Sequence, residues 1–326
     1  MEPIKKIGVL TSGGDSPGMN ACIRAVVRTG LYYDYQVMGI ISGYNGLIED
    51  EFIGMDSASV SGIIQRGGTI LKTARSGEFM TKEGREKAYR NLVRHRVDAL
   101  VAIGGNGTFT GAEIFCREHA FRVMGIPGTI DNDLYGTDLT IGYDTALNTV
   151  VQAVDKIRDT AGSHDRLFFI EVMGRDAGFI ALQSGIATGA EDILVPETKT
   201  SIDGLIAILR KGFRKNKKTG IIIVAEGDDE GGAFEVARKV KEKFGHFDTR
   251  VTILGHIQRG GSPTCTDRVL ASRLGFEAVR ALREGHNAEM VGMINNKTVF
   301  TPFSKAVKHH KDINRSLLEM ARILSM

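Results

Sequence analysis

The sequence predicts an α/β protein with largely parallel sheets, on a chain long enough for two domains. Three observations carry this. Short apolar runs alternate with helical stretches along the chain, which is the pattern of parallel strands joined by crossover helices. Several of those runs contain no polar residue, as strands covered on both faces require. The length, 326 residues, suits either two domains of ordinary size or one large one.

Taken in order, residues 7–10 read as the first strand and 38–41 as a weaker one. Further strands are predicted at 98–103, 123–126, 168–172, 193–195, 221–225 and 251–254. A helix is expected near 109–116. The clearest helix covers 144–159, where Leu147, Val150, Val151, Val154 and Ile157 recur at helical spacing and form one apolar face. Asp155 and Arg158 fall off that face. The segment 312–325 predicts an amphipathic closing helix through Ile313, Leu317, Leu318, Ala321 and Ile323. No internal repeat, heptad or low-complexity linker is evident, and the polar segments 215–220 and 285–289 do not read as linkers. The chain is therefore expected to cross between domains more than once.

Composition excludes several classes. Apolar residues at 42% rule out global disorder. The 40 glycines without a strict period point to tight turns and close backbone approaches. Cys22, Cys116 and Cys265 are far apart, which argues against a disulfide framework or a thiolate zinc site. No apolar region follows the start, and every apolar run is interrupted short of a spanning length; the expectation is a cytoplasmic protein with no membrane insertion. A net charge of +3 does not mark a dedicated nucleic-acid binder. Arg210, Lys211, Arg214, Lys215, Lys217 and Lys218 form a local basic segment. It reads as a solvated helix end, with an anion site for a small phosphorylated ligand as the alternative.

The chemistry is expected at turns that follow predicted strands, where open α/β sheets bind ligands. Thr11-Ser12-Gly13-Gly14-Asp15 follows the first strand and leads into a helix, a natural phosphate cradle. It is neither a dinucleotide fingerprint nor a P-loop, so a nicotinamide-dependent oxidoreductase is disfavoured. Gly104-Gly105-Asn106-Gly107-Thr108 repeats the arrangement; Gly107 leaves room for a bulky neighbour, and Thr108 is placed to cap the helix or bind a phosphate. The third turn, Pro127-Gly128-Thr129-Ile130-Asp131-Asn132-Asp133, carries two carboxylates two residues apart. In an extended segment both would project to one side. Beside phosphate cradles their obvious tasks are holding Mg²⁺ and accepting a hydroxyl proton; a self-capped Asx turn is the structural alternative. Arg166, Met173-Gly174-Arg175, Glu226, Arg250 and the run from Gly255 to Gly261 also sit near strand ends, and Arg75 follows Gly67-Gly68-Thr69. Arginine forks match phosphate oxygens. His256 reads as a hydrogen-bond donor to a bound phosphorylated ligand.

These pieces, with Arg66-Gly67-Gly68-Thr69, Glu171-Val172-Met173-Gly174-Arg175 and Gly255-His256-Ile257-Gln258-Arg259-Gly260-Gly261-Ser262-Pro263, occur in an order that closely resembles the bacterial ATP-dependent phosphofructokinase family. The resemblance runs over essentially the whole chain. It implies two three-layer α/β/α domains with the active site in the cleft between them, assembled as a homotetramer. Residues 1–140 with 252–305 would form a larger ATP-binding domain. Residues 141–251 with 306–326 would form a smaller sugar-phosphate-binding domain. It implies Asp131 as the base that takes the proton from the 1-hydroxyl of fructose 6-phosphate, with Thr129, Arg175 and Arg75 also catalytic. Thr129 and Asp133 would hold the transferring phosphate and Mg²⁺. Gly13, Tyr44, Arg75, Ser76, Asn106, Gly107, Thr108 and Gly111 would surround ATP. Met173, Gly174, Arg175, Glu226, His256 and Arg259 would bind the sugar phosphate, joined by Arg166 and Arg250 of a neighbouring subunit. An effector site for ADP or phosphoenolpyruvate would map to Arg24, Arg28, Ser57, Arg158, Glu191, Lys215 and Lys217.

The pattern is not matched everywhere. Gly107 and Gly128 resemble the ATP-using branch; the pyrophosphate-using branch carries an aspartate and a lysine there, and two small residues would leave space for a nucleotide. Asn106 stands where the family pattern has an aspartate that helps organise Mg²⁺. Its carbonyl still ligates weakly, but the charge is gone. A slower active enzyme, a catalytically weak partner of a second isozyme, and a shifted nucleotide, metal or acceptor preference are the readings left open. Ser57 and Lys215 replace two arginines of the effector pattern, so altered allosteric control is expected.

Overall fold

A computed structural model describes residues 3–163, 166–214, 219–245, 248–309 and 311–325. In chain order the elements begin β1 (Lys6–Thr11), α1 (Met19–Tyr32), β2 (Gln36–Ile40), α2 (Tyr44–Glu49), β3 (Phe52–Met55), α3 (Lys82–Arg94), β4 (Ala99–Gly104), α4 (Asn106–His119) and β5 (Arg122–Pro127). They continue with α5 (Tyr143–Gly162), β6 (Arg166–Val172), α6 (Phe179–Thr188), β7 (Asp192–Leu194), α7 (Ile202–Arg214), β8 (Gly220–Ala225), α8 (Gly232–Lys243) and β9 (Asp248–Ile253). Last come α9 (Cys265–Glu284), β10 (Glu289–Ile294), β11 (Lys297–Pro302), α10 (Phe303–Ala306) and α11 (Arg315–Leu324).

The chain divides into two compact units. One comprises 1–130, 134–145 and 259–311; the other comprises 131–133, 146–258 and 312–326. The first unit holds a seven-stranded sheet of order β11-β10-β5-β4-β1-β2-β3. Its central strands are parallel, and β3 and β11 close the two edges antiparallel. Alternation along each strand sends side chains to both faces. Ile7, Val9, Val101, Ile103, Met124 and Ile126 meet α1 and α9 on one face. Leu10, Ile40, Leu100, Ala102 and Val123 meet α2, α3, α4 and α10 on the other. This unit is thus three layers deep.

The second unit holds a four-stranded, wholly parallel sheet of order β7-β8-β6-β9. Leu167, Phe169, Leu194, Ile222 and Val224 face α7 and α8. The neighbouring Ile193 points the other way, toward α6 at Gly185, and α11 packs on α6 and β7. Here too helices cover both faces.

Every predicted strand is present, with somewhat different ends. The strands β3, β10 and β11 were not predicted, although β3 and residues 290–294 of β10 are unbroken apolar runs; of the three, only β11 mixes polar and apolar residues. Among the described residues no helix is long and apolar enough to cross a membrane.

Candidate active site

In the first unit the glycine turns lie side by side because their strands are neighbours. Ser12 N–H donates to the Ile103 carbonyl (3.0 Å), joining the ends of β1 and β4. Gly128 N–H donates to the Gly104 carbonyl (3.0 Å), joining β4 to the turn after β5. Helices α1 and α4 have Gly18 and Gly105 at their N-caps, neither of which supplies a side-chain cap; such helix starts suit an anion.

Thr108 does not cap α4. It is 3% exposed, and its hydroxyl donates to the Ser12 carbonyl (3.1 Å), tying the first turn of α4 to the first glycine turn. Tyr44 supports the same turn from behind: its hydroxyl donates to the Thr108 carbonyl (2.6 Å), and its ring stacks on Phe79 at 3.8 Å. Burial raises its phenol above the ordinary value. Gly111 lies against the Phe79 and Tyr44 rings. Gly13 accepts the Thr73 hydroxyl at its carbonyl (2.7 Å). Ser76 accepts the Phe79 N–H (3.2 Å), and Arg75 is exposed. Arg259 reaches back across the first turn, donating to the Asp15 carbonyl (3.2 Å).

The two small residues at 107 and 128 differ in what they open. A Cβ at Gly107 would meet nothing within 4 Å, so this position does open space. A Cβ at Gly128 would lie 2.9 Å from Ile103 and 3.1 Å from Met19. Gly128 is therefore small because the core is packed against it, and the expectation that it leaves space for a ligand is corrected.

Asp131–Asp133 belong to the second unit. Asn132 adopts a left-handed conformation, φ 53, so the segment is not extended and the same-side argument for the two carboxylates fails. Their environments differ: Asp131 is 3% exposed, and Asp133 is half-buried. Asp131 Oδ2 lies 3.7 Å from Nε of Arg175, itself in a left-handed turn at φ 52. One oxygen of Glu226 accepts the N–H groups of Gly174 (3.1 Å) and Arg175 (2.6 Å). A conformation that is costly for a non-glycine residue is thereby held. Met173 N–H donates to Oε1 of the fully buried Gln258 (2.9 Å). His256 is exposed just before it.

Arg166 and Arg250 do not join this group. Both pair with one carboxylate, Asp248, at 2.9 and 2.7 Å. Arg166 opens β6, whereas Arg175 follows its end. At about 3.3 Å per residue, β6 separates the two by roughly 20 Å.

Of the effector residues, Arg24 and Arg28 sit one turn apart on α1, and Ser57 follows β3, all in the first unit. In the second unit Arg158 donates to the Thr188 and Gly189 carbonyls at the end of α6, and Glu191 is buried beside that end. Lys215 and Lys217 lie outside the described residues. Among the described residues no group of three or more His, Cys, Asp or Glu is placed to hold a metal ion.

A family model described as Phosphofructokinase matches residues 6–282. The chain belongs to the phosphofructokinase family. It is 56% identical over 326 residues to the ATP-dependent 6-phosphofructokinase 2 of Bacteroides thetaiotaomicron, covering all of both chains. It is 55% identical over 322 residues to the ATP-dependent 6-phosphofructokinase of Cytophaga hutchinsonii, covering 99% of this chain and 98% of that one. Among solved structures, phosphofructokinase from Saccharomyces cerevisiae superposes with a TM-score of 0.87 at 38% identity, over 98% of this chain and 48% of that one. This chain therefore spans about half the length of the yeast chain. Two supports of the site went unread in the sequence. Gln258 stands in the sequence only as one residue of the Gly255–Pro263 run, and Thr140 donates from its hydroxyl to the Thr129 carbonyl (2.5 Å). A buried glutamine between glycine-rich turns was the available signal for the first; the second had none.

Proposed function

We propose that this chain transfers the γ-phosphoryl group of ATP to the 1-hydroxyl of fructose 6-phosphate, giving fructose 1,6-bisphosphate and ADP in glycolysis. The observation that carries the reading is Asp131, a buried carboxylate with a guanidinium 3.7 Å away, in a chain whose full-length relatives carry that activity in their names.

Asp131 accepts the hydroxyl proton. Aspartate is a weak base, with an ordinary pKa of ~3.9, and is sufficient where the proton leaves late. Arg175 offsets charge on the transferring group, which passes through a loose transition state with charge spread over its equatorial oxygens. Thr129 and the two glycine turns hold the phosphates, and Arg75 neutralises charge on the nucleotide side. Glu226, His256, Arg259 and the turn at Met173 and Gly174 orient the sugar phosphate, so that hydroxyl and phosphorus meet in line.

The donor set fits Mg²⁺. Asp133 is a half-buried carboxylate, Asn106 adds an amide oxygen, and this ion is usually held by one or two carboxylates together with substrate phosphates rather than by a protein cage. Asp133 and Asn106 would hold the ion, which would supply positive charge against the phosphates.

The separation along β6 supports a shared site. Arg166 and Arg250 reach the sugar phosphate of a neighbouring subunit in a homotetramer. Arg24, Arg28, Ser57, Arg158, Glu191, Lys215 and Lys217 form an effector site for ADP or phosphoenolpyruvate whose control is altered by Ser57 and Lys215. The protein works in the cytoplasm.

A coupled assay comparing ATP with pyrophosphate at saturating Mg²⁺ tests this, with the product identified by ³¹P spectroscopy. Turnover with ATP to the 1,6-bisphosphate, and none with pyrophosphate, is expected. No turnover with ATP, in the wild type or in Asn106→Asp, overturns it. Asn106 at the start of α4 favours a second reading, a catalytically weak or regulatory phosphofructokinase. Under that reading only Asn106→Asp is active.

A further inference from the structure

Helix α5 begins at Tyr143, which puts Gly142 at its N-cap. Glycine has no side chain with which to cap. The position demands it nonetheless: φ is 101, and a Cβ would lie 2.5 Å from Cβ of Ser16. The missing cap comes from another helix. Asp267, on the first turn of α9, accepts Gly142 N–H at Oδ1 (2.8 Å) and both the N–H (2.8 Å) and the hydroxyl (2.6 Å) of Thr145 at Oδ2. This carboxylate is 1% exposed. It is not needed for its own helix, since Thr264 caps α9 by accepting Asp267 N–H (3.2 Å).

Burial on this scale disfavours the charged form and raises the Asp267 carboxyl above the usual carboxylate range, against the lowering effect of its hydrogen bonds. A neutral pair of apolar residues could join two helices without that penalty. What the carboxylate fixes lies immediately upstream. Ile141 N–H donates to the Pro127 carbonyl (2.9 Å), Ile141 bridges Gly128, and the Thr140 hydroxyl donates to the Thr129 carbonyl (2.5 Å). Each hydrogen bond in this relay is backbone or short side chain, so displacement at 142–145 passes directly to Thr129.

We propose that Asp267 is a positioning residue for phosphoryl transfer, setting Thr129 through Gly142, Thr145 and Thr140. This rests on the reading of Thr129 as a phosphate-contacting residue.

The test compares Asp267→Asn, Thr140→Val, their double variant, Thr140→Ser and Thr129→Val by steady-state kinetics and thermal unfolding. Asp267→Asn keeps shape but presents an amide donor to the N–H groups. A misplacement near 1 Å costs up to about 10²-fold, so kcat is expected to fall roughly 10- to 100-fold in Asp267→Asn and in Thr140→Val, with KM for fructose 6-phosphate within about twofold. The double variant should fall little below the poorer single, as members of one relay do. Thr140→Ser, which retains the donor, restores kcat. A folded Asp267→Asn with wild-type kcat, or losses that multiply in the double, overturns the proposal. If Asp267→Asn does not fold, Thr140→Val decides alone: reduced kcat supports the relay, and wild-type kcat ends it. Full kcat in Thr129→Val instead removes the underlying reading of Thr129. Loss there with none in Asp267→Asn removes only the relay.

Discussion

The smallest unit with a functional consequence is the contact between Gly14 and Arg259. A Cβ on residue 14 would sit 2.4 Å from Nη1 of Arg259. The obstructing atom is the end of a flexible side chain, so Gly14→Ala is expected to fold normally and to push the guanidinium aside. Losing one charge-assisted hydrogen bond costs about 1.5–3 kcal/mol. KM for fructose 6-phosphate should therefore rise about tenfold or more while thermal stability stays close to wild type. An unchanged KM would remove Arg259 from sugar-phosphate binding. Asp131 and Arg175 show what could be read at this scale and what could not. Their residue types suggest the proposed chemistry. The side-by-side projection inferred for Asp131 and Asp133 failed because Asn132 turns left-handed, a conformation asparagine tolerates and the one the Asx-turn alternative allowed for.

Among the elements, α3 and α4 are joined by a two-pronged ion pair. Arg85 donates from Nε and Nη2 to the two oxygens of Glu118 at 2.6 and 2.8 Å, and from Nη1 to the Phe79 and Met80 carbonyls. The hydrogen bonds from Arg85 hold the Glu118 carboxyl below the ordinary range, outweighing its partial burial. A carboxyl with a depressed folded pKa contributes stability above its unfolded value, about 4.3, and loses it as pH falls through the folded value. Glu118→Gln should accordingly destabilise by about 1–2 kcal/mol near neutral pH, with the gap to wild type closing toward pH 3. Thermal unfolding across that range checks it; a gap that widens on acidification contradicts it. Elements were legible where both faces are covered. Strands β4 and β8 are buried at every position, so their apolar runs are unbroken. Strand β11 was not legible from hydrophobicity, since Lys297–Pro302 is mostly half-exposed. Asn295 and Asn296, both at positive φ, are the turn signal that could have revealed it.

For the whole molecule, the placement of Arg166 and Arg250 on Asp248 matters most. Arg166 stands a strand's length from Arg175, with Arg250 on β9 opposite Phe168, and one subunit alone lacks part of its sugar-phosphate site under the proposed reading. Arg250→Ala subunits and Asp131→Ala subunits, each weakly active alone, should regain activity after dissociation and mixed reassembly, because hybrid interfaces pair an intact Asp131 with an intact Arg250. A mixture no better than the mean of its parents would place both residues in one chain's site. The sequence carries this division only through the family resemblance; the structure adds that Arg166 opens β6, at the end away from Arg175.

The central claim is that Asp131 takes the proton of the acceptor hydroxyl, and Asp131→Ala tests it most directly. Removing a general base lowers kcat by roughly 10²–10⁴-fold. Rapid-quench measurement of phosphoryl transfer, paired with equilibrium binding of fructose 6-phosphate, should show that loss with sugar-phosphate binding largely kept. Transfer at the wild-type rate in the variant would contradict the account.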